Sequence, residues 1–66
     1  MTILRLWRIL HGLTLEELGK RLGVHLQTLW RVETRRAAAS PELQARIAEL
    51  LRMPLRRVFD ERGYAR

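Results

Sequence analysis

Between Thr14 and Glu33 two helical patterns follow each other so closely that only a sharp corner can join them. Thr14 stands three residues before Glu17, the spacing of a reciprocal capping box in which each side chain bonds the other residue's backbone amide. Leu18 and Leu22, four apart, give this helix a buried stripe, and Gly23 stops it after about two turns by accepting a left-handed cap conformation. The run Val24–Glu33 begins at once, with Val24, Leu29 and Val32 on an inward face. A turn of three or four residues containing Gly joins helices at roughly 90 to 120°. Strands would need an alternation that this stretch lacks.

The flanking segments extend the helical pattern. Leu4, Trp7 and Leu10 predict a first helix with its inward stripe, ended at His11-Gly12. Leu6 and Ile9 form a second apolar strip, read as a widening of the core or else as a subunit contact. Arg35-Arg36 and Ala37 to Ala39 form a basic connector whose alanines are compatible with a longer helix. Ser40-Pro41-Glu42 then marks the start of a fourth helix, with Ser as N-cap and Pro at the first helical position. Leu43, Ile47, Leu50 and Leu51 form its apolar face as far as Met53-Pro54, where Pro turns Met53 away from helical geometry. Leu55, Val58 and Phe59 mark a short fifth helix. The expected fold is all-α, five helices in one domain over residues 1–59, with residues 60–66 as a C-terminal tail.

Sixty-six residues bury only a minimal core, so helix packing, with dimerisation as a further aid, must stabilise the chain. The sequence has no Cys and only two His, which removes disulfides and makes a metal site unexpected. No Gly-rich phosphate loop, nucleophile with adjacent base, or paired catalytic carboxylates stand out, so neither an enzyme nor a cofactor is expected. The apolar opening run carries Arg5 and Arg8, is too short to span a bilayer and lacks a small-residue cleavage site, which points to a cytoplasmic chain without a membrane role. The formal net charge of +6 favours a polyanionic partner or an anionic membrane surface. Twelve of the 13 basic residues are Arg, a usage that suits bidentate phosphate contacts and equally fits a GC-rich genome or a heat-adapted host.

Gly12-Leu13-Thr14, Glu17-Leu18, Leu22-Gly23-Val24, Thr28-Leu29 and Arg31-Val32-Glu33 together resemble the phage-repressor and Cro-type helix-turn-helix family, often called the Xre family. The likeness runs from about Leu4 to Phe59. It implies a sequence-specific transcriptional regulator of double-stranded DNA, a repressor and homodimer on a palindromic operator. The recognition helix, residues 25–33, would then lie in the major groove. The resemblance assigns base reading to His25, Leu26, Gln27 and Arg31, with His25 equally readable as an N-cap residue without a base contact. Gln27 suits adenine, Arg31 guanine, and Leu26 a thymine methyl. Thr28, Thr34, Arg35 and Arg36 are the implied phosphate contacts. Arg8 and Glu33 are spaced as two family residues that commonly pair the first helix with the end of the recognition helix.

The chain also departs from the family. Leu15 replaces a commonly polar phosphate-binding residue, Trp30 stands where a small or polar residue is usual, Thr34-Arg35 replaces a customary Asn-Gly, and Gly19 replaces an Ala at the helix crossing. Leu15, Leu26 and Trp30 therefore bring apolar area to the expected DNA side. Trp30 suits either the sugar-phosphate wall or a base methyl. The competing reading is a protein-interaction or antirepressor module that keeps the fold without reading DNA. A basic amphipathic membrane binder is a third reading, which a folded five-helix core disfavours. Leu50, Met53, Leu55 and Phe59 are the expected dimer surface, unless they close the core.

Overall fold

The computed structural model describes residues 1–66 as five helices: α1 (Ile3–Leu10), α2 (Leu15–Leu22), α3 (Leu26–Glu33), α4 (Pro41–Leu51) and α5 (Leu55–Val58). Their ends follow local chemistry. Thr14 Oγ1 accepts from the Glu17 amide at 3.0 Å, and Glu17 Oε1 accepts from the Thr14 amide at 2.9 Å, completing the capping box. Gly23 closes α2 at φ 72°, in the left-handed region where a Cβ is penalised. Ser40 Oγ caps α4 through the Leu43 amide, and Pro41 occupies its first turn.

Leu4, Leu18, Leu22, Leu29, Val32, Leu43, Ile47, Leu51, Val58 and Phe59 close into one core, with α2 packed on both α3 and α4. Three expectations are corrected here. Leu10 is 73% exposed and lies outside the inward stripe of α1. At about 100° per residue, six residues carry Leu10 about 120° away from Leu4, whereas Trp7 stays within about 60°. The same rotation places Leu6, Ile9 and Leu10 together on the outer face, so Leu6 and Ile9 do not widen the core. Phe59, expected on a dimer surface, is instead buried, and Leu50 and Met53 pack partly against the core; of that group only Leu55 is substantially exposed.

Residues 60–66, expected as a tail, return to the domain. Phe59 and Ala65 form an isolated antiparallel bridge, and Ala65 is fully buried. The Ile3 amide donates to the Arg66 carbonyl at 2.7 Å and the Ala39 amide to the Gly63 carbonyl at 2.9 Å. The C-terminal hook thus ties the start of α1 to the connector before α4, whose alanines do not extend a helix. Asp60 organises the turn by accepting from the Arg62 and Tyr64 amides at 2.9 and 3.0 Å. Partial burial raises its carboxyl pKa, but those amides and the nearby Arg35 and Arg66 guanidinium groups outweigh it and hold the carboxyl below its ordinary value.

Gly19 explains how α2 and α3 approach. A Cβ at this position would lie 2.7 Å from the Val24 carbonyl oxygen, a backbone atom in the turn. Gly19→Ala is expected to destabilise the fold by about 1–3 kcal/mol through this overpacking, despite the roughly 1 kcal/mol that Ala gains over Gly in a helix interior. Urea unfolding measures the balance. A stabilised Ala variant would show that the turn yields freely and that the close approach is not required.

Candidate nucleic-acid interface

The exposed side of α3 is set by its buried side. Leu29, Val32 and Glu33 face inward, leaving Leu26, Gln27, Thr28, Trp30 and Arg31 accessible. His25 does not belong to the helix itself: it is the N-cap, its Nδ1 accepting from the Gln27 amide at 3.1 Å. That role explains why α3 starts later than the apolar pattern from Val24 suggests. In the neutral ring an accepting Nδ1 assigns the proton to Nε2, so the exposed His25 keeps one free donor while it caps.

His25, Gln27, Thr28, Trp30 and Arg31 line one open concavity. At its edge the Arg36 guanidinium lies 4.6 Å from the centre of the Trp30 ring. Such a cation–π contact contributes about 0.5–1 kcal/mol at an exposed site and holds the guanidinium over the indole. Trp30, unusual for its position, therefore places a positive charge beside α3. Leu26 lies on the other flank, with Glu16, Lys20, Val24 and His25 around a shallow recess between α2 and α3. Leu15 is only half exposed and packs against the core, so its apolar character is explained by burial at the start of α2.

Beyond α3 the chain turns with a non-glycine residue in the left-handed region. The Arg36 amide donates to the Arg31 carbonyl and the Arg35 amide to the Val32 carbonyl, a Schellman-type ending with Arg35 at φ 62°. Gly or Asn is the ordinary choice there. Arg35 is held by an ion pair with Asp60, 3.3 Å from Nη2 to Oδ2, which links the hook to the end of α3. The Thr34 hydroxyl donates to the Trp30 carbonyl at 2.7 Å, so its proton is already committed within the helix end, unlike the freely exposed Thr28. Sequence reasoning missed Asp60 as the partner of Arg35 and the stacking of Arg36 on Trp30. Both pairings cross turns that no helical period describes.

The angle of α3 is fixed from behind. Arg8 Nε and Nη2 donate to the two Glu33 carboxylate oxygens at 2.8 and 3.0 Å, a bidentate pair whose Glu side chain is 1% exposed. Arg8 Nη1 also donates to the Leu13 carbonyl at 2.9 Å, and the Thr2 hydroxyl donates to the Glu33 carbonyl at 2.8 Å. One Arg therefore ties α1 to the loop before α2 and to the end of α3. No buried side-chain nitrogen or oxygen lacks a hydrogen-bond partner.

No three His, Cys, Asp or Glu side chains come together as they would to hold a metal ion, and no helix is long and apolar enough to cross a membrane. Two short helices joined at a Gly turn, the second with an exposed polar face flanked by Arg, define a helix-turn-helix domain. Residues 2–59 match the helix-turn-helix domain family, and the chain belongs to that family, of the Xre and Cro-like type. This is a class of DNA-binding regulators that are typically non-enzymatic. Comparison with curated proteins and with solved structures gives no significant match.

Proposed function

We propose that the chain is a sequence-specific double-stranded DNA-binding repressor that lays α3 in the major groove. The observation that carries this reading is the single concavity on α3 that gathers Gln27, Thr28 and Arg31 beside the Trp30–Arg36 stack. Gln27 would read adenine through its amide, and Arg31 would read guanine as a two-pronged donor. Leu26 offers contact to a thymine methyl, and the free His25 donor offers one further bond to a base edge. Arg36 and Thr28 suit phosphate oxygens. Arg35 shares its charge between phosphate and Asp60, and Thr34 ranks below them because its hydroxyl proton is used.

A homodimer on a palindromic operator in the cytoplasm completes the proposal, since two copies would place two recognition helices on successive turns of one duplex face. The outward Leu6, Ile9 and Leu10 of α1 offer more exposed apolar area for such a contact than α5 does. The competing module that binds protein alone would use Trp30 as a bare anchor. The indole instead lies under a guanidinium, which favours a polyanion.

Arg31→Glu combined with Arg36→Glu separates the two readings while leaving the Arg35–Asp60 pair in place. Fluorescence anisotropy on labelled duplexes is expected to show at least a tenfold loss of affinity, each lost base or phosphate contact counting about 1 kcal/mol or more. Unchanged binding to every duplex would remove DNA reading from these residues.

A further inference from the structure

Resting on the DNA-binding reading above, we propose that Arg5 and Arg66 form a second phosphate clamp, which grips the duplex backbone outside the bases faced by α3. A second concavity opens at the far end of α3, lined among others by Thr2, Arg5, Thr34, Arg35, Arg36 and Arg66. Four guanidinium groups thus border one open site. Of the acidic side chains nearby, Glu33 is buried and already neutralised by Arg8, and Asp60, outside the lining, pairs with Arg35 and lies near Arg66, which leaves Arg5 and Arg36 without an acidic partner.

This second concavity continues the first. Arg36 lines it while stacking on Trp30, which lines the concavity of Gln27 and Arg31. A band of positive charge therefore leads along the outside of α3, about 12 Å long for eight residues, and past its end. An occupant that spans such a band must carry regularly spaced negative charges. The phosphodiester backbone of the same duplex does so, and its path beside a helix in the major groove continues past the helix end.

The hook gives the clamp its shape. Arg66 Nε donates to the Arg56 and Phe59 carbonyls at 2.8 and 3.2 Å, which fixes the side chain while leaving its terminal nitrogens free of partners in the chain. Its own carbonyl accepts from Ile3 at the start of α1, two residues before Arg5. Arg5 makes no side-chain hydrogen bond or ion pair within the chain. Arg5 lies within the residues matched to the family and Arg66 beyond them.

Salt titration and phosphate-ethylation interference of the wild type, Arg5→Gln, Arg66→Gln and the double variant test the clamp. Each is measured on a selected duplex and on a random duplex that extends a full turn beyond the site on both sides. The double variant is expected to lower the slope of log affinity against log salt by about 1.8, at about 0.9 per lost contact, on both duplexes alike. The preference for the selected duplex stays unchanged, and interference disappears at the same outer phosphates in both single variants. If thermal melting shows that Arg66→Gln loosens the hook, Arg5→Gln alone must still lower the slope by about 0.9. A wild-type slope in the double variant, with selected DNA still preferred, would overturn the clamp and leave the α3 reading standing. Failure of the wild type to bind any duplex would overturn both.

Discussion

Arg8→Met is expected to remove about 3–5 kcal/mol, about half or more of the stability of so small a domain, while Arg8→Met combined with Glu33→Met restores most of it. The single substitution strands the Glu33 carboxylate, 1% exposed, without its bidentate partner. Breaking one side of a buried pair costs about 3–5 kcal/mol. A domain of this size has only about 3–10 kcal/mol of total stability, at 0.05–0.15 kcal/mol per residue. The double variant removes the stranded charge together with its partner. Replacement of both members of a buried pair by apolar residues of similar volume is often neutral or stabilising. The lost bond from Arg8 to the Leu13 carbonyl subtracts about 1 kcal/mol from that recovery.

Urea unfolding of the four proteins in this cycle measures the coupling directly. Additive losses would mean that the two residues act independently, contrary to the geometry. The double variant carries a second consequence for function. It keeps the Thr2 bond to the Glu33 carbonyl but loses the ionic tie between α1 and α3, so it can be fully folded and yet hold the recognition helix less tightly.

Gln27→Ala is expected to remove about 5- to 150-fold of affinity for the preferred duplex, the equivalent of about 1–3 kcal/mol for one bidentate base contact. It leaves affinity for random DNA and the salt slope nearly unchanged. Arg36→Gln is its converse, weakening both duplexes alike and lowering the slope by about 0.9. The contrast follows from position. Gln27 lies in the first turn of α3, where base edges are met, and Arg36 stands beyond the helix end against Trp30. Equal losses on both duplexes for Gln27→Ala would reassign that residue to the backbone.

Much of the fold can be read from the chain because helix ends are local events. Thr14 with Glu17, Ser40 with Pro41, and Gly23 each satisfy orphan amides or carbonyls within a few residues, and each marks a boundary where the structure has one. The start of α3 is less legible because His25 reads equally as an N-cap and as a base-contacting residue, and the structure shows it as the cap. The hook is concealed for a different reason. Its bonds join Ile3 to Arg66 and Ala39 to Gly63 through backbone groups that every residue carries, so side-chain patterning does not announce them. Asp60 and Gly63, spaced as in a tight turn, are the local trace of it.

The candidate site divides in the same way. Helical periodicity brings Gln27, Thr28 and Arg31 to one face of α3, and it also leaves Leu26 and Trp30 exposed there. What periodicity omits is the environment of those residues. Leu15 turns to the core, Trp30 receives Arg36, and Arg35 receives Asp60. The unusual apolar residues of this surface therefore have separate explanations in packing and stacking, and the Trp departs from the family pattern without removing positive charge from the interface.

Selection of bound duplexes from a random pool, followed by salt titration of the winner against random DNA, is the most direct measurement of sequence recognition by α3. Recognition by α3 predicts a shared sequence among the winners and a specific affinity about 10³-fold or more above random at physiological salt. That gap persists as salt rises and both affinities fall. Winners without a common sequence, bound no better than random DNA at any salt, would contradict it.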